Sequence, residues 1–290
     1  MQKFLVKFSC FFFLLILLNA LLNHYGNKIY LASYKNYSTN FNSFLLSDSH
    51  GLPLSNNAEK NGIFNFSAGS DSYFDMKRKI NFLLKRTCVD TIYLTVDDHT
   101  LSPYRERQNN LDRSIYFSTT NDYSNILLFL KEKIIFNIAF FHPKKRTLLK
   151  KYIISFFNTK KNDNKTITQN TSWDKKSKKE QINSSIIRFN SQFPGIKNSK
   201  ALEQTLIEII QLCKKENITL IGLKFPLSKE YINIMGHNTY GANKIFKDYN
   251  LKVLDFKNKF VLEDKYFLNQ DHLNEEGGTQ LIEILFRKKL

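Results

Sequence analysis

The sequence predicts an α/β fold: three α/β/α layers around a parallel sheet of about five strands, doubly wound in the flavodoxin-like order, behind an apolar N-terminal helix. Three observations carry this reading. Short runs rich in aliphatic and aromatic residues recur along the chain and end in small polar turns. Segments with apolar residues at helical spacing follow them, and strands alternating with helices imply a parallel sheet covered by those helices. At 290 residues the chain is long enough for one large domain with an ample core.

In chain order, Phe4 to Leu22 is nearly all apolar, interrupted by Lys7 and Asn19. It approaches the ~20 residues that cross a bilayer, and Lys3 and Lys7 should stay on the cytoplasmic side. Residues 1–23 are therefore expected to be an uncleaved signal anchor. Leu18 to Tyr25 offers no small-x-small cleavage site, which argues against the rival reading, a cleaved signal peptide. A polar linker is expected over 24–40, and the remainder, 41–290, should lie on the outer face of the membrane as one domain.

The first strand is expected over Asn42 to Leu46, the second over Ile63 to Phe66 and the third over Thr91 to Val96, with a helix over Asp71 to Arg86 between the last two. The same unit returns as helix Ala201 to Lys215, strand Ile218 to Leu223, helix Tyr240 to Tyr249, strand Leu251 to Phe256 and helix Glu275 to Lys288. Between the two groups, about 123–198 reads as an insertion. Tyr123 to Phe141 and Arg146 to Phe157 have apolar helical patterns, whereas 158–183 has almost nothing to bury and is expected to be mobile. Trp173, in this polar stretch, is either a platform for a sugar ring or an anchor that pins the loop to the body.

The formal charge of +17 comes from Lys spread along the chain beside abundant Asn, Ile, Phe and Tyr, the signature of a compositional bias. No zinc spacing, aromatic-basic RNA motif or basic helix accompanies it, so nucleic acid is not an expected partner. Cys10 lies inside the apolar run. Cys88 and Cys213 have no metal-ligand spacing; they are expected to be buried free thiols, with a disulfide between them as the alternative.

Two short motifs bracket the exported region. The first, Ser47-Asp48-Ser49-His50, stands where the first strand gives way to a helix, the place where α/β sheets do their chemistry. Asp48 and Ser49 would also serve simply as helix caps. The second, Asn269-Gln270-Asp271-His272-Leu273-Asn274, precedes the last helix. A hydroxyl early in the chain and an imidazole late in it form the pair a Ser-His hydrolase needs.

These motifs resemble the Gly-Asp-Ser and closing Asp-x-x-His-Leu-Asn signatures of the SGNH (GDSL-type) hydrolase superfamily, in the order that superfamily requires. The resemblance implies Ser49 as nucleophile, His272 as base, and the backbone N–H groups of Ser49 and Gly69 as oxyanion donors. It also implies the flavodoxin-like sheet and no organic cofactor. Two positions depart from the pattern. Asn269 stands where the family has an acid, leaving Asn269 or Asp271 to orient His272. Val96-Asp97-Asp98-His99 stands where the family has Gly-x-Asn-Asp.

That acidic cluster reads as hydrogen bonding that ties down the next loop, or alternatively as a divalent metal site; no metal is expected. Asp48, His50 at the pocket rim, Asp98, His99 and Arg105 are the expected substrate-binding side chains. The expected activity is that of an esterase or O-acyltransferase on an acylated carbohydrate or other small ester, such as a surface polysaccharide. The alternative is a catalytically impaired scaffold that acts as a glycan-binding or polysaccharide-assembly protein. The sequence gives no indication of oligomeric state.

Overall fold

The computed structural model describes residues 1–32, 34–139, 141–157 and 172–287. Its helices are α1 (Gln2–Tyr30), α2 (Ser55–Lys60), α3 (Tyr73–Leu84), α4 (Pro103–Arg107), α5 (Leu111–Ser114), α6 (Ile126–Asn137), α7 (Pro143–Phe157), α8 (Lys178–Gln192), α9 (Lys200–Lys215), α10 (Lys229–Met235), α11 (Ala242–Asp248) and α12 (Glu275–Arg287). The strands are β1 (Ser43–Leu46), β2 (Ile63–Asn65), β3 (Thr91–Thr95), β4 (Thr219–Lys224), β5 (Val253–Asp255) and a separate antiparallel pair, β6 (Phe267–Asn269) and β7 (His272–Leu273). The chain divides into two compact units, 37–111 with 169–290, and 1–36 with 112–168.

The larger unit holds a five-stranded, all-parallel sheet in the order β2-β1-β3-β4-β5, flanked by helices. Each central strand is a short apolar run because both of its faces are covered. Phe44 sits beside Phe64 on one side and Ile92 on the other, and Ile92 lies beside Leu220. The helices begin where side chains can satisfy the free N–H groups of a first turn. Ser72 with Asp75 and Ser177 with Glu180 close capping boxes on α3 and α8, and Ser199 and Ser228 cap α9 and α10.

The expected strands and helices of this unit are present, shortened by one or two residues at most ends, while α9 begins one residue earlier and β4 ends one residue later than expected. The stretch 158–183, expected to be mobile, lies partly outside the described residues; its described end holds a 3-10 turn, Trp173–Lys175, and the start of α8. Trp173 is completely buried in the core, and Gln181 Nε2 of α8 donates to its carbonyl oxygen at 2.8 Å. It is an anchor, and its burial removes the sugar-platform reading. Cys213 is buried and free, as expected, but Cys88 is free and exposed.

In the smaller unit α1 is 29 residues long with a mean hydropathy of 2.4 over its most apolar window, long and apolar enough to be a membrane anchor or a signal sequence. It continues through His24 to Tyr30, which the sequence suggested as linker. The extension is held by α7: Lys145 Nζ donates to Asn23 Oδ1 at 2.7 Å, and its stem packs on Gly26. Leu31, Ile115 and Phe136 form the small core of this unit.

Candidate functional site

β1 ends at Leu46, and the chain turns through Ser47 and Asp48 into a 3-10 turn, Ser49–Leu54. Asp48 caps that turn: its Oδ1 accepts from the His50 N–H at 3.0 Å. Asp48 caps this turn and Ser49, the candidate nucleophile, opens it, so the two readings fall on neighbouring residues. Ser49 Oγ lies 2.7 Å from His272 Nε2. The two residues are 223 positions apart and both are half-buried, so the pair is in contact and still accessible.

His272 is delivered by the tight β6-β7 turn. Asn269 Oδ1 accepts from the backbone N–H groups of Asp271 (3.2 Å) and His272 (3.0 Å), which folds Asp271 back beside the imidazole. His272 Nδ1 is then 3.0 Å from both Asn269 Oδ1 and Asp271 Oδ1. Both orienting candidates therefore touch Nδ1: the amide also builds the turn, and the carboxylate carries the charge. Asn274 Oδ1 accepts from the Gly277 N–H at 2.9 Å and starts α12.

Two glycines allow α12 to lie close to this apparatus. A Cβ on Gly278 would collide with the Pro53 carbonyl, and one on Gly277 with the Tyr266 carbonyl. Pro53 belongs to the turn that begins at Ser49, so the close approach at Gly278 sets the spacing between the serine segment and the histidine segment.

Asp271 is 1 % exposed. Its Oδ2 accepts from Arg188 Nε (2.7 Å) and Gln192 Nε2 (3.1 Å), both on α8, and faces His50 Nε2 at 3.4 Å. Burial by itself would raise its pKa, but His272, His50 and Arg188 outweigh burial and hold it well below the ordinary carboxylate range. Arg188 and Gln192 were missed by the sequence reading. Their signal was present in the Ser177-x-x-Glu180 capping box and the four-residue spacing that puts both side chains on one helix face.

Of the five side chains expected to bind substrate, Asp48, His50, His99 and Arg105 form a buried layer beside the Ser-His pair, and Asp98 is buried apart from it. His50, expected at the rim, is 2 % exposed. Its Nδ1 is 2.7 Å from Asp97 Oδ2 while its Nε2 faces Asp271, so both ring nitrogens point at carboxylates, an arrangement that favours the imidazolium form. Burial opposes that charge, yet Asp48, Asp271 and Asp97 together push the His50 pKa up to about 10.

Asp48 Oδ2 lies 3.3 Å from His99 Nε2 and 3.5 Å from Arg105 Nη2. Burial raises the Asp48 pKa, and His50, His99 and Arg105 more than reverse the effect. Arg105 also donates to the Asp71 carbonyl, so its guanidinium is engaged inside the protein. Burial lowers the pKa of His99 and favours its neutral form. Asp97 and His99 face this layer, whereas Asp98 turns the other way, to Lys224 at 2.8 Å and Lys257 at 3.1 Å. The split arises in the turn that follows β3, closed by the Thr100 N–H donating to the Asp97 carbonyl at 3.1 Å, rather than from strand alternation.

The set Asp97-Asp98-His99 is thus split between two faces. Two other sets, Asp48/His50/His99 and His50/Asp271/His272, have donor atoms within 4.8 Å of one another, the spacing a metal needs. Both depend on His50, whose nitrogens already face two carboxylates, and the first has the Arg105 cation beside it. These sets fit an internal charge network better than a cation site.

Gly69 follows β2 in a turn that runs beside the serine segment, since the Ala68 N–H donates to the Ser47 carbonyl at 3.2 Å. The turn is completed by Ser70 at φ 72° and tied down by Asn110, whose Nδ2 donates to the Gly69 carbonyl at 2.7 Å. A protein-family comparison found no model that matches this chain, and no curated protein matches it.

Proposed function

We propose that this chain is an SGNH-like serine esterase or O-acyltransferase, anchored by α1 with its larger unit outside the cytoplasm, acting on acyl esters of a surface glycan. The single observation that carries the reading is the 2.7 Å contact between Ser49 Oγ and His272 Nε2, with Asp271 behind Nδ1. The sheet order 2-1-3-4-5 adds to it, because this is the doubly wound, flavodoxin-like order in which ligands bind beyond the carboxyl ends of the strands. Ser49 begins within three residues of such an end.

In this mechanism Ser49 Oγ attacks the acyl carbon and gives its proton to His272 Nε2. Asp271 holds the Nδ1 proton and stabilises the imidazolium, and Nε2 then protonates the departing alkoxide. Water, or a second alcohol in the transferase case, attacks the acyl-enzyme with His272 again as base. The resemblance to the superfamily assigns the oxyanion to the Ser49 and Gly69 amides. Asp98 occupies the family's Asn position, but its carboxylate pairs with Lys224 and Lys257 and so does not oppose that negative charge.

The rival reading, a glycan-binding or assembly scaffold without catalysis, rests on the amide at 269 and on Val96-Asp97-Asp98-His99 in place of the family's third-strand motif. Asp271 supplies the missing carboxylate, and the catalytic reading is the stronger. Retention of α1 as an anchor is supported by the packing of its last two turns on α7.

The test is ester cleavage by the full chain in detergent. We expect release of p-nitrophenol from p-nitrophenyl acetate and covalent labelling by a fluorophosphonate. Ser49→Ala should lower kcat by roughly a thousandfold or more and abolish labelling, with the unfolding temperature unchanged. Equal activity in the variant would discard the proposal.

A further inference from the structure

The smaller unit contains a helix with its polarity reversed. A water-facing helix buries its apolar stripe and exposes its charges. In α6 the inward residues are Phe129, Glu132, Lys133 and the buried Phe136. Glu132 Oε2 accepts from Tyr123 Oη at 2.7 Å, and Lys133 Nζ donates to the Ile115 carbonyl at 2.5 Å, so both charged groups are engaged within the unit. Facing outward are Ile126, Leu127, Leu128, Leu130 and Ile134, between 44 and 73 % exposed. Lys131, the exposed cation among them, has a stem long enough to carry its ammonium to a polar layer.

The end of this helix is fixed to α1. Asn19 Nδ2 donates to the Asn137 carbonyl at 3.1 Å, and Asn19 Oδ1 accepts from the Ala139 N–H at 3.0 Å. Asn19 lies three positions before Leu22, the end of the apolar run, or ~5 Å inside it at the rise of an α-helix. On either side of that attachment both helices expose apolar side chains, Leu21 of α1 and Ile134 of α6 among them. The next helix, α7, exposes Arg146, Lys150 and Lys151, cations of the kind that hold anionic headgroups.

We propose that α6 beds in the acyl-chain layer of the bilayer that α1 enters, making the smaller unit a two-point membrane mount in which one helix crosses and another lies in the interface. Inside-out polarity, attachment to α1 at the depth of Asn19 and the basic surface of α7 all select phospholipid as the occupant. The inference rests on α1 being retained as the anchor and is independent of the esterase chemistry.

The experiment uses the full chain reconstituted into phosphatidylcholine/phosphatidylglycerol vesicles, with and without brominated acyl chains. Leu130→Trp, with Leu127→Trp as a second position, adds an indole to the wild-type background of Trp173, which is buried in the larger unit. We expect brominated lipid to remove most of the added emission and leave the wild-type signal unchanged. Equal added emission in both lipids, from chains that float with the vesicles, overturns the inference and leaves the anchor in place. Added emission that is unquenched by bromine but depends on protein density in the vesicle also overturns it, assigning the face to a second copy. Chains that do not float overturn the anchor and this inference together, with ester cleavage in detergent unaffected.

Discussion

At Asp271 one carboxylate joins the Ser49-His272 pair to the buried charge network beside it. One oxygen faces His272 Nδ1, and the other is occupied by Arg188, Gln192 and His50. Asn269 touches the same Nδ1 but carries no charge to match an imidazolium. Asp271→Asn should therefore lower kcat by on the order of ten-thousandfold, the loss seen when a triad carboxylate becomes an amide, whereas Asn269→Ala should act mainly by loosening the turn. Parallel kcat measurements decide the assignment, and a larger loss at 269 would transfer the orienting role to the amide. His50 makes a second prediction. Its pKa is raised from 6.5 to about 10, so the stability it contributes is fully present below about pH 6.5 and is lost as the pH rises through about 10. Burial holds Lys145 down to about 8, which works in the opposite direction in part of that window, so the quantity to read is a difference. The gap in unfolding temperature between wild type and His50→Gln should be widest below pH 6.5 and close towards pH 10. A gap constant across that range would mean that His50 carries no charge in the fold.

At the scale of elements, the site is set by the spacing between the turn after β1 and the start of α12. Gly278→Ala puts a methyl group into the Pro53 carbonyl, and overpacking of this kind costs about 1–3 kcal/mol. Because Pro53 and Ser49 share one 3-10 turn, the same variant should slow fluorophosphonate labelling of Ser49 although it touches no reacting atom. Calorimetry and labelling rates measured together check this, and unchanged labelling would detach α12 from the positioning of the pair. The two ends of this arrangement were legible in the sequence because each is a local pattern: an apolar run stopped by Ser47-Asp48-Ser49, and a turn before an amphipathic helix. The strands were legible for the same reason. The buried charge layer was not, since Asp48, His50, His99 and Arg105 are polar residues whose partners come from distant elements, and polarity in a sequence reads as exposure. Helix α8 was hidden by composition: Lys, Asn, Ser and Gln dominate it, and its inward face is made of Gln181, Ser185 and Gln192 in place of aliphatic residues. Its capping box was the only local sign.

At the scale of the whole molecule, the reading requires the Ser49 side of the chain to stand outside the cytoplasm, and the three cysteines provide a reporter for it. Cys10 lies within the apolar helix that would be in the membrane, Cys213 is buried, and Cys88 is exposed in the larger unit. A membrane-impermeant maleimide added to intact cells, or to spheroplasts if an outer membrane intervenes, should therefore label the unmodified chain at Cys88. The hydrogen bond to Asp90 at 3.6 Å and the nearby negative charge raise the Cys88 pKa above its ordinary 9.0, which leaves little thiolate near neutrality. Labelling should accordingly be slow at neutral pH, accelerate towards about pH 9, and disappear in Cys88→Ser. Asp90→Asn should accelerate it at neutral pH by removing the acceptor, a change that separates the chemistry of the thiol from access to it. Labelling that appears only after the membrane is permeabilised would put Ser49 and His272 on the cytoplasmic side, where no surface glycan could reach them.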